Sequence, residues 1–149
     1  MKKLFLSFFA LALLMIPALA QAEILHSTVG AQGYDLTSYH TGSKPLPGNG
    51  NHVVTHEGVN YLFVSDANKK AFEKNPNKYL PAYGGYCAYG VSVGKKFIAD
   101  PNVYEVVDGQ LYLNLDNKIK DIWAKDISGN IKKSDVNWAQ IKNKKPSEL

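Results

Sequence analysis

The chain has one cysteine, Cys87, and it lies in a segment rich in tyrosine and glycine, YGGYCAYGVSVG at residues 83–94. A thiol can serve as a metal ligand, as a nucleophile or as a small apolar core residue. A partner for it would be His40, in the segment GYDLTSYHTG. A Cys87–His40 pair would suit copper or zinc, or would activate a thiolate. The spacing along the chain does not decide whether the two side chains meet.

The tyrosines around the cysteine are the second chemically notable feature. Tyr83, Tyr86 and Tyr89 recur every three residues, with glycines between them. Either the rings pack in the core with each hydroxyl paired, or they line a pocket for a small ligand. Both interpretations stay open at the level of sequence.

A thiol enzyme would need a base beside the cysteine and a group that orients the base. Cys87, His40 and Asp35 supply the three residue types, but no known cysteine-hydrolase signature surrounds Cys87. The motif CAYG also lacks the second cysteine of a CxxC redox pair. We therefore expect a binding protein rather than an enzyme.

The first 22 residues have the three regions of a secretory signal peptide. Lys2 and Lys3 give a positive start, residues 4–20 are almost wholly apolar, and ALAQA ends in small residues. This pattern predicts cleavage after Ala22, export to a bacterial periplasm and no membrane anchor after cleavage. In an oxidising compartment a lone cysteine cannot form an internal disulfide.

The charge of the chain is modest once the signal peptide is excluded. The sequence has 17 basic and 13 acidic residues, and 15 basic residues remain without Lys2 and Lys3. No basic stripe is interleaved with aromatic residues, so a nucleic-acid partner is not expected. Residues 143–149 are predicted to form a flexible basic tail.

Two segments of the chain, 51 residues apart, resemble each other in sequence. EGVNYLFVSDANKKAFEKN at residues 57–75 aligns without a gap with DGQLYLNLDNKIKDIWAKD at residues 108–126. Each block predicts a strand, a tight turn at an acidic–glycine pair, a return strand and a helix. The predicted fold class is α+β, with antiparallel strands in two pseudo-repeated β-hairpin–helix units, about residues 52–80 and 103–131, that share one core. The cysteine segment would connect the two units.

Local signals predict the ends and buried faces of the helices. Ser65 and Asp116 follow the return strands and are expected to cap the next helices, and Ser128 is expected to cap the last one. Phe72 and Trp123 fall on the apolar faces of the first two helices and are expected to be core residues.

Several of these segments resemble the YHS domain family, in its exported single-domain bacterial branch. They are GYD (33–35), GVNYLFVS (58–65), AF (71–72), NPNKYL (75–80), YGGYCAYGV (83–91) and DGQLYLN (108–114). The resemblance covers roughly residues 30–140 and implies a YHS-like domain at residues 23–142, a small hairpin-and-helix module thought to bind metal. In metal-binding members, cysteines stand at the positions of Val64 and Asn68 in this chain. That thiolate site is absent here, so Cys87 is the first candidate ligand.

The sequence thus predicts a small periplasmic YHS-like binding protein. Its cargo would be a transition metal such as copper, or zinc, with Cys87 and His40 as ligands. The alternative is a metal-free module that binds a small molecule at Tyr83, Tyr86 and Tyr89, or a partner protein, with Cys87 as packing. A thiol enzyme is a third, weaker hypothesis.

Overall fold

The computed structural model describes residues 27–149, and the predicted signal peptide therefore lies outside the described residues. This part of the chain has two antiparallel hairpins and five α-helices, which confirms the α+β prediction. No helix within it combines the length and apolar character needed to cross a membrane. The elements are β1 (Asn49–His56), β2 (Val59–Phe63), α1 (Asp66–Lys74), α2 (Pro76–Tyr79), α3 (Ala88–Ser92), β3 (Asp100–Val107), β4 (Gln110–Asn114), α4 (Asn117–Ala124) and α5 (Ile127–Ile141).

Both hairpins close through a two-residue turn of the same type. In the β1–β2 turn, Glu57 and Gly58 have φ of 50° and 78°, and in the β3–β4 turn Asp108 and Gly109 have φ of 51° and 81°. Two consecutive positive φ angles define a type I′ turn, whose twist matches that of the flanking strands. The acidic–glycine pairs of the sequence therefore mark both turns.

Each hairpin also has an irregularity near the start of its first strand. The register with the partner strand shifts between Asn49 and Val53 in β1, and between Asp100 and Tyr104 in β3. Such bulges bend a strand and increase its twist. Helix α1 then packs on β1 and β2, and α4 packs on β3 and β4.

Two of the three predicted helix caps are confirmed. The Ser65 hydroxyl accepts a hydrogen bond from the Asn68 amide at 3.2 Å, and the Asp116 carboxylate accepts one from the Ile119 amide at 2.8 Å. The prediction for Ser128 is wrong. Helix α5 begins two residues earlier than that cap would require, because the Asp126 carboxylate accepts from the Gly129 amide at 2.9 Å.

The buried side chains form two clusters. Phe72 and Trp123, the two predicted core residues, are both fully buried. The first cluster draws on both halves of the chain and contains Leu36, Tyr39, Phe63, Phe72, Cys87, Ala99, Leu111 and Leu113. The second contains Tyr83, Ala88, Val91, Tyr112, Trp123 and Ile141. With two clusters observed, the single shared core and the pseudo-repeat remain predictions.

The C-terminal residues 143–149 make some contacts with the body of the domain, and their flexibility remains a prediction. The buried Lys96 ammonium donates to the carbonyls of Lys142 and Lys144, at 2.9 and 2.6 Å. Pro146–Glu148 form a 3-10 turn, and Leu149 packs against the second cluster. These contacts hold the end of α5 and the residues after it against the domain.

Candidate functional site: a cleft lined by both hairpins

Cys87 lies in the interior at the start of α3. It is fully buried in the first cluster. Its sulfur accepts a hydrogen bond from the Gly90 amide at 3.4 Å, and its thiol donates to the Asn114 side-chain oxygen at 3.6 Å. A thiol enclosed in this way caps a short helix and fills core volume. It is not placed to meet a ligand that arrives from solvent.

This burial predicts that Cys87 resists thiol reagents in the native protein. Because the sulfur becomes accessible only when the core opens, we expect reaction with dithiobis(nitrobenzoate) to be at least about 1,000-fold slower than in denaturant. Ser43→Cys in a Cys87→Ala background supplies an exposed reference thiol, since Ser43 lies on the surface. Native labelling of Cys87 at the rate of that reference would refute the buried placement.

His40 lies in a different environment from the cysteine. Its ring packs edge-on against Tyr79, with centroids 5.4 Å apart, and its Nε2 atom is buried without a hydrogen-bond partner. No hydrogen bond joins it to Cys87. Residues 27–149 contain no group of three or more histidine, cysteine or acidic side chains that could hold a metal ion. The copper or zinc site at Cys87 and His40 remains a prediction from the sequence.

The placement of His40 has a consequence for acid stability. Burial, and secondarily the Lys78 ammonium, lower the pKa of His40 from its usual 6.5. As the pH falls, the unfolded chain binds a proton at this histidine before the folded chain does, because the pKa is lower in the folded state. Proton binding therefore favours unfolding. Its contribution to stability is therefore complete above about pH 6.5, and is lost as the pH falls through the folded-state pKa.

We expect His40→Gln to reduce the loss of stability between pH 7.5 and pH 5. Urea unfolding of the parent and the variant at several pH values in this window measures the difference. His52→Gln is the comparison variant, because His52 is partly exposed and its ring nitrogen lies 2.9 Å from the exposed Asp66 carboxylate, which favours the protonated ring. An identical pH dependence in the parent and His40→Gln would contradict the argument.

The three tyrosines of the connector do not share one environment. Tyr83 is buried, and its hydroxyl donates to the Asp135 carboxylate at 2.9 Å. Burial and this carboxylate raise the pKa of Tyr83. Tyr86 is half-buried and lines a cleft, while Tyr89 is half-buried and packs against both core clusters. Of the three predicted ligand-binding tyrosines, the cleft includes Tyr86.

The cleft has a volume of about 470 Å³ and is lined by both hairpins. Val59 and Tyr61 of β2 contribute to it from the first hairpin, and Leu113 of β4 from the second. Two tight turns complete it: an N-terminal turn, Gly30–Gly33, and a connector turn, Ala82–Gly85. This volume suits a small organic molecule.

Few of the side chains that line the cleft are charged. Among the described residues that line it, Glu57 alone carries a formal charge at pH 7, with His56 beside it in the chain. Burial and the Glu57 carboxylate raise the pKa of Tyr61. The lining thus has one acidic side chain, the exposed Glu57, while the buried Lys96 ammonium lies 5.2 Å from the ring centroid of Tyr86.

Asp35, considered at the level of sequence only as the third member of a catalytic trio, has a structural role. Its carboxylate is fully buried and accepts four hydrogen bonds, from the Thr37 amide and hydroxyl, the Val64 amide and the Asn68 side chain, at 2.7 to 3.0 Å. Val64 and Asn68 are the positions at which the family resemblance would place cysteines. A polar network therefore occupies that place in this chain.

Comparison with models of known protein families, with curated proteins and with solved structures finds no match to this chain. The resemblance to the YHS domain therefore remains a prediction from the sequence.

Proposed function

We propose that this chain is a small exported binding module that holds a small organic molecule in the cleft between its hairpins. The observation that carries the proposal is the contrast between the two candidate sites. The cleft is open and has a ligand-sized volume, whereas the thiol of Cys87 is fully buried. A binding site must be reached from solvent. This contrast therefore favours one of the functions considered from the sequence, the metal-free binding of a small molecule.

We further propose that the two hairpin–helix units are copies of one YHS-like unit. Three features support this relationship: the 51-residue offset of the aligned sequences, the type I′ turn in each hairpin, and the matching register shifts in β1 and β3. Two related units packed together leave a junction, and junctions between units are common places for ligand clefts. The cleft would then be a product of duplication.

Export to the periplasm is part of the proposal and rests on the N-terminal sequence. Its support is the succession of Lys2 and Lys3, the apolar residues 4–20 and the small residues that end at Ala22. A periplasmic module of this size would meet small molecules that have crossed the outer membrane.

The proposal is tested by mapping where small molecules bind. We would record amide shifts of ¹⁵N-labelled protein, residues 23–149, with a panel of neutral, cationic and anionic fragments at millimolar concentration. We expect some members to shift amides of Gly30, Tyr61 and Gly84, with no shift at Lys125, an exposed residue after α4 that does not line the cleft. A panel that shifts none of the cleft amides would overturn the proposal.

Titration with copper(I) and zinc under reducing, anaerobic conditions tests the competing metal hypothesis. We expect no stoichiometric binding that depends on the sulfur, because Cys87 is enclosed in the core. Tight binding in the parent that Cys87→Ala abolishes would replace the proposal with a metal-binding function.

A further inference from the structure

The chain contains two turns with nearly the same backbone conformation but different side chains. In the N-terminal turn, Ala31 has φ 46° and ψ 35°, and Gln32 has φ 52° and ψ 29°. In the connector turn, Tyr83 has φ 55° and ψ 34°, and Gly84 has φ 62° and ψ 20°. Ala31 and Tyr83 are each the second residue of their turn, so their Cβ atoms leave equivalent backbones in equivalent directions.

The equivalence extends to the segments after the turns. The residue that follows the N-terminal turn, Tyr34, forms an antiparallel bridge with Pro47, and the residue that follows the connector turn, Tyr86, forms one with Ile98. One residue later, the Asp35 amide donates to the Leu46 carbonyl, and the Cys87 amide donates to the Phe97 carbonyl, both at 2.9 Å. The turns are therefore held against their hairpins in the same way.

At the connector turn, the space beside the hairpin is filled by a tyrosine of the chain itself. Tyr112, the third residue of β4, packs on Trp123 of the following helix, with centroids 5.6 Å apart. It also packs on Tyr83, with centroids 6.0 Å apart. The Tyr83 hydroxyl donates to the Asp135 carboxylate. In this half of the chain, the side chain of Tyr83 therefore occupies the space beside the hairpin. It is an aromatic ring that ends in a hydrogen-bond donor.

At the N-terminal turn, the corresponding position has a much smaller side chain, and the Tyr61 ring lies close to Gly30. Tyr61, the third residue of β2, packs on Phe72 of the following helix, with centroids 5.2 Å apart. The position equivalent to Tyr83 is Ala31, which has only a methyl group, and both Ala31 and Tyr61 line the cleft. The side chain at this turn is therefore smaller than its counterpart at the connector turn by one phenol ring.

We propose that the cleft binds an arylalkylamine, with its ring between Ala31 and Tyr61 and its ammonium group toward Glu57. This inference rests on the proposed function and adds the class of ligand. The ring takes the space that Tyr83 fills in the other half. The ammonium group of the ligand complements Glu57, the charged member of the described lining residues. An anionic ligand is disfavoured, because like charges across a binding site repel each other.

The test compares two probes with the same ring and opposite charges, tyramine and 4-hydroxyphenylacetate. We expect tyramine to shift the cleft amides and to bind about tenfold more tightly than the anion. Glu57→Gln, a change at the surface, should remove most of this preference. Equal affinity for the two probes in the parent, or an unchanged preference in Glu57→Gln, would overturn the inference.

A second variant tests the place of the ring. Ala31→Tyr reproduces the side chain that the connector turn accepts at a φ of 55°, so we expect it to fold, to fill the cleft and to abolish tyramine binding. Ala67→Tyr, at an exposed position of α1, is the matched control and should bind as the parent does. Undiminished tyramine binding to folded Ala31→Tyr would overturn the inference.

The two proposals fail in distinguishable ways. If other fragments shift the cleft amides and tyramine does not, the ligand class is wrong and the binding function stands. If no fragment of any charge binds at the cleft, both proposals fall together.

Discussion

Replacing Asp35 with alanine is expected to cost about 3–5 kcal/mol of unfolding free energy. The substitution leaves four donors without an acceptor: the Thr37 amide and hydroxyl, which are buried, and the Val64 amide and Asn68 side chain, which are partly buried. An unsatisfied buried donor costs about 1–3 kcal/mol, and some of this is recovered by relaxation and water. Denaturant unfolding monitored by tryptophan fluorescence measures the change.

The control for this prediction is Asp66→Ala. Asp66 is also an aspartate, but its side chain is 73% exposed, so we expect a change within about 0.5 kcal/mol. Asp35→Asn should give an intermediate loss of unfolding free energy. The amide keeps one oxygen acceptor, but its NH2 group is a donor and lies opposite other donors. An Asp35→Ala variant as stable as Asp66→Ala would show that the buried network does not stabilise the fold.

Replacing Gly48 with alanine is expected to cost about 2–3 kcal/mol. A Cβ atom at this position would overlap the carbonyl carbon and oxygen of Leu62, and backbone atoms cannot move aside as the end of a side chain can. The Gly48 amide also donates to the Gly33 carbonyl at 2.8 Å, which ties the N-terminal turn to the first hairpin. We therefore expect Gly48→Ala to lower both the stability and the binding of tyramine to the cleft.

Gly50→Ala separates this steric effect from the general effect of adding a methyl group. Gly50 lies two residues further on, and a Cβ atom there would have no heavy atom within 4 Å. We expect this variant to be as stable as the parent or slightly more stable, because alanine restricts the unfolded chain. Equal stability of the two alanine variants would contradict the close approach of Gly48 to Leu62.

The hairpins could be predicted because their signals are local. An acidic–glycine pair between β-rich runs favours a type I′ turn, and Ser65 and Asp116 can cap only the helices that follow them. The apolar spacing around Phe72 and Trp123 likewise depends on one helix at a time. Ser128 was the exception, because Asp126 lies two residues upstream and competes successfully for the same role.

The candidate site could not be predicted in the same way, because its residues are distant in sequence. Whether Cys87 meets His40, or is enclosed beside Asn114, depends on how the two halves pack. The pairing of Asp35 with Val64 and Asn68 also spans about 30 residues and has no local signature. One signal was present in the sequence: the alignment of GAQGYD with AYGGYC places Ala31 opposite Tyr83, and so marks the missing ring.

We propose that the cleft, and not the cysteine, is the functional site. The most direct test is to measure, by titration calorimetry, the affinity of the tightest fragment of the panel for the parent, Ala31→Tyr and Cys87→Ala, each first shown to be folded by circular dichroism. We expect binding to be lost in Ala31→Tyr and retained in Cys87→Ala. Binding that survives in Ala31→Tyr and disappears in Cys87→Ala would contradict the claim and return the site to the thiol.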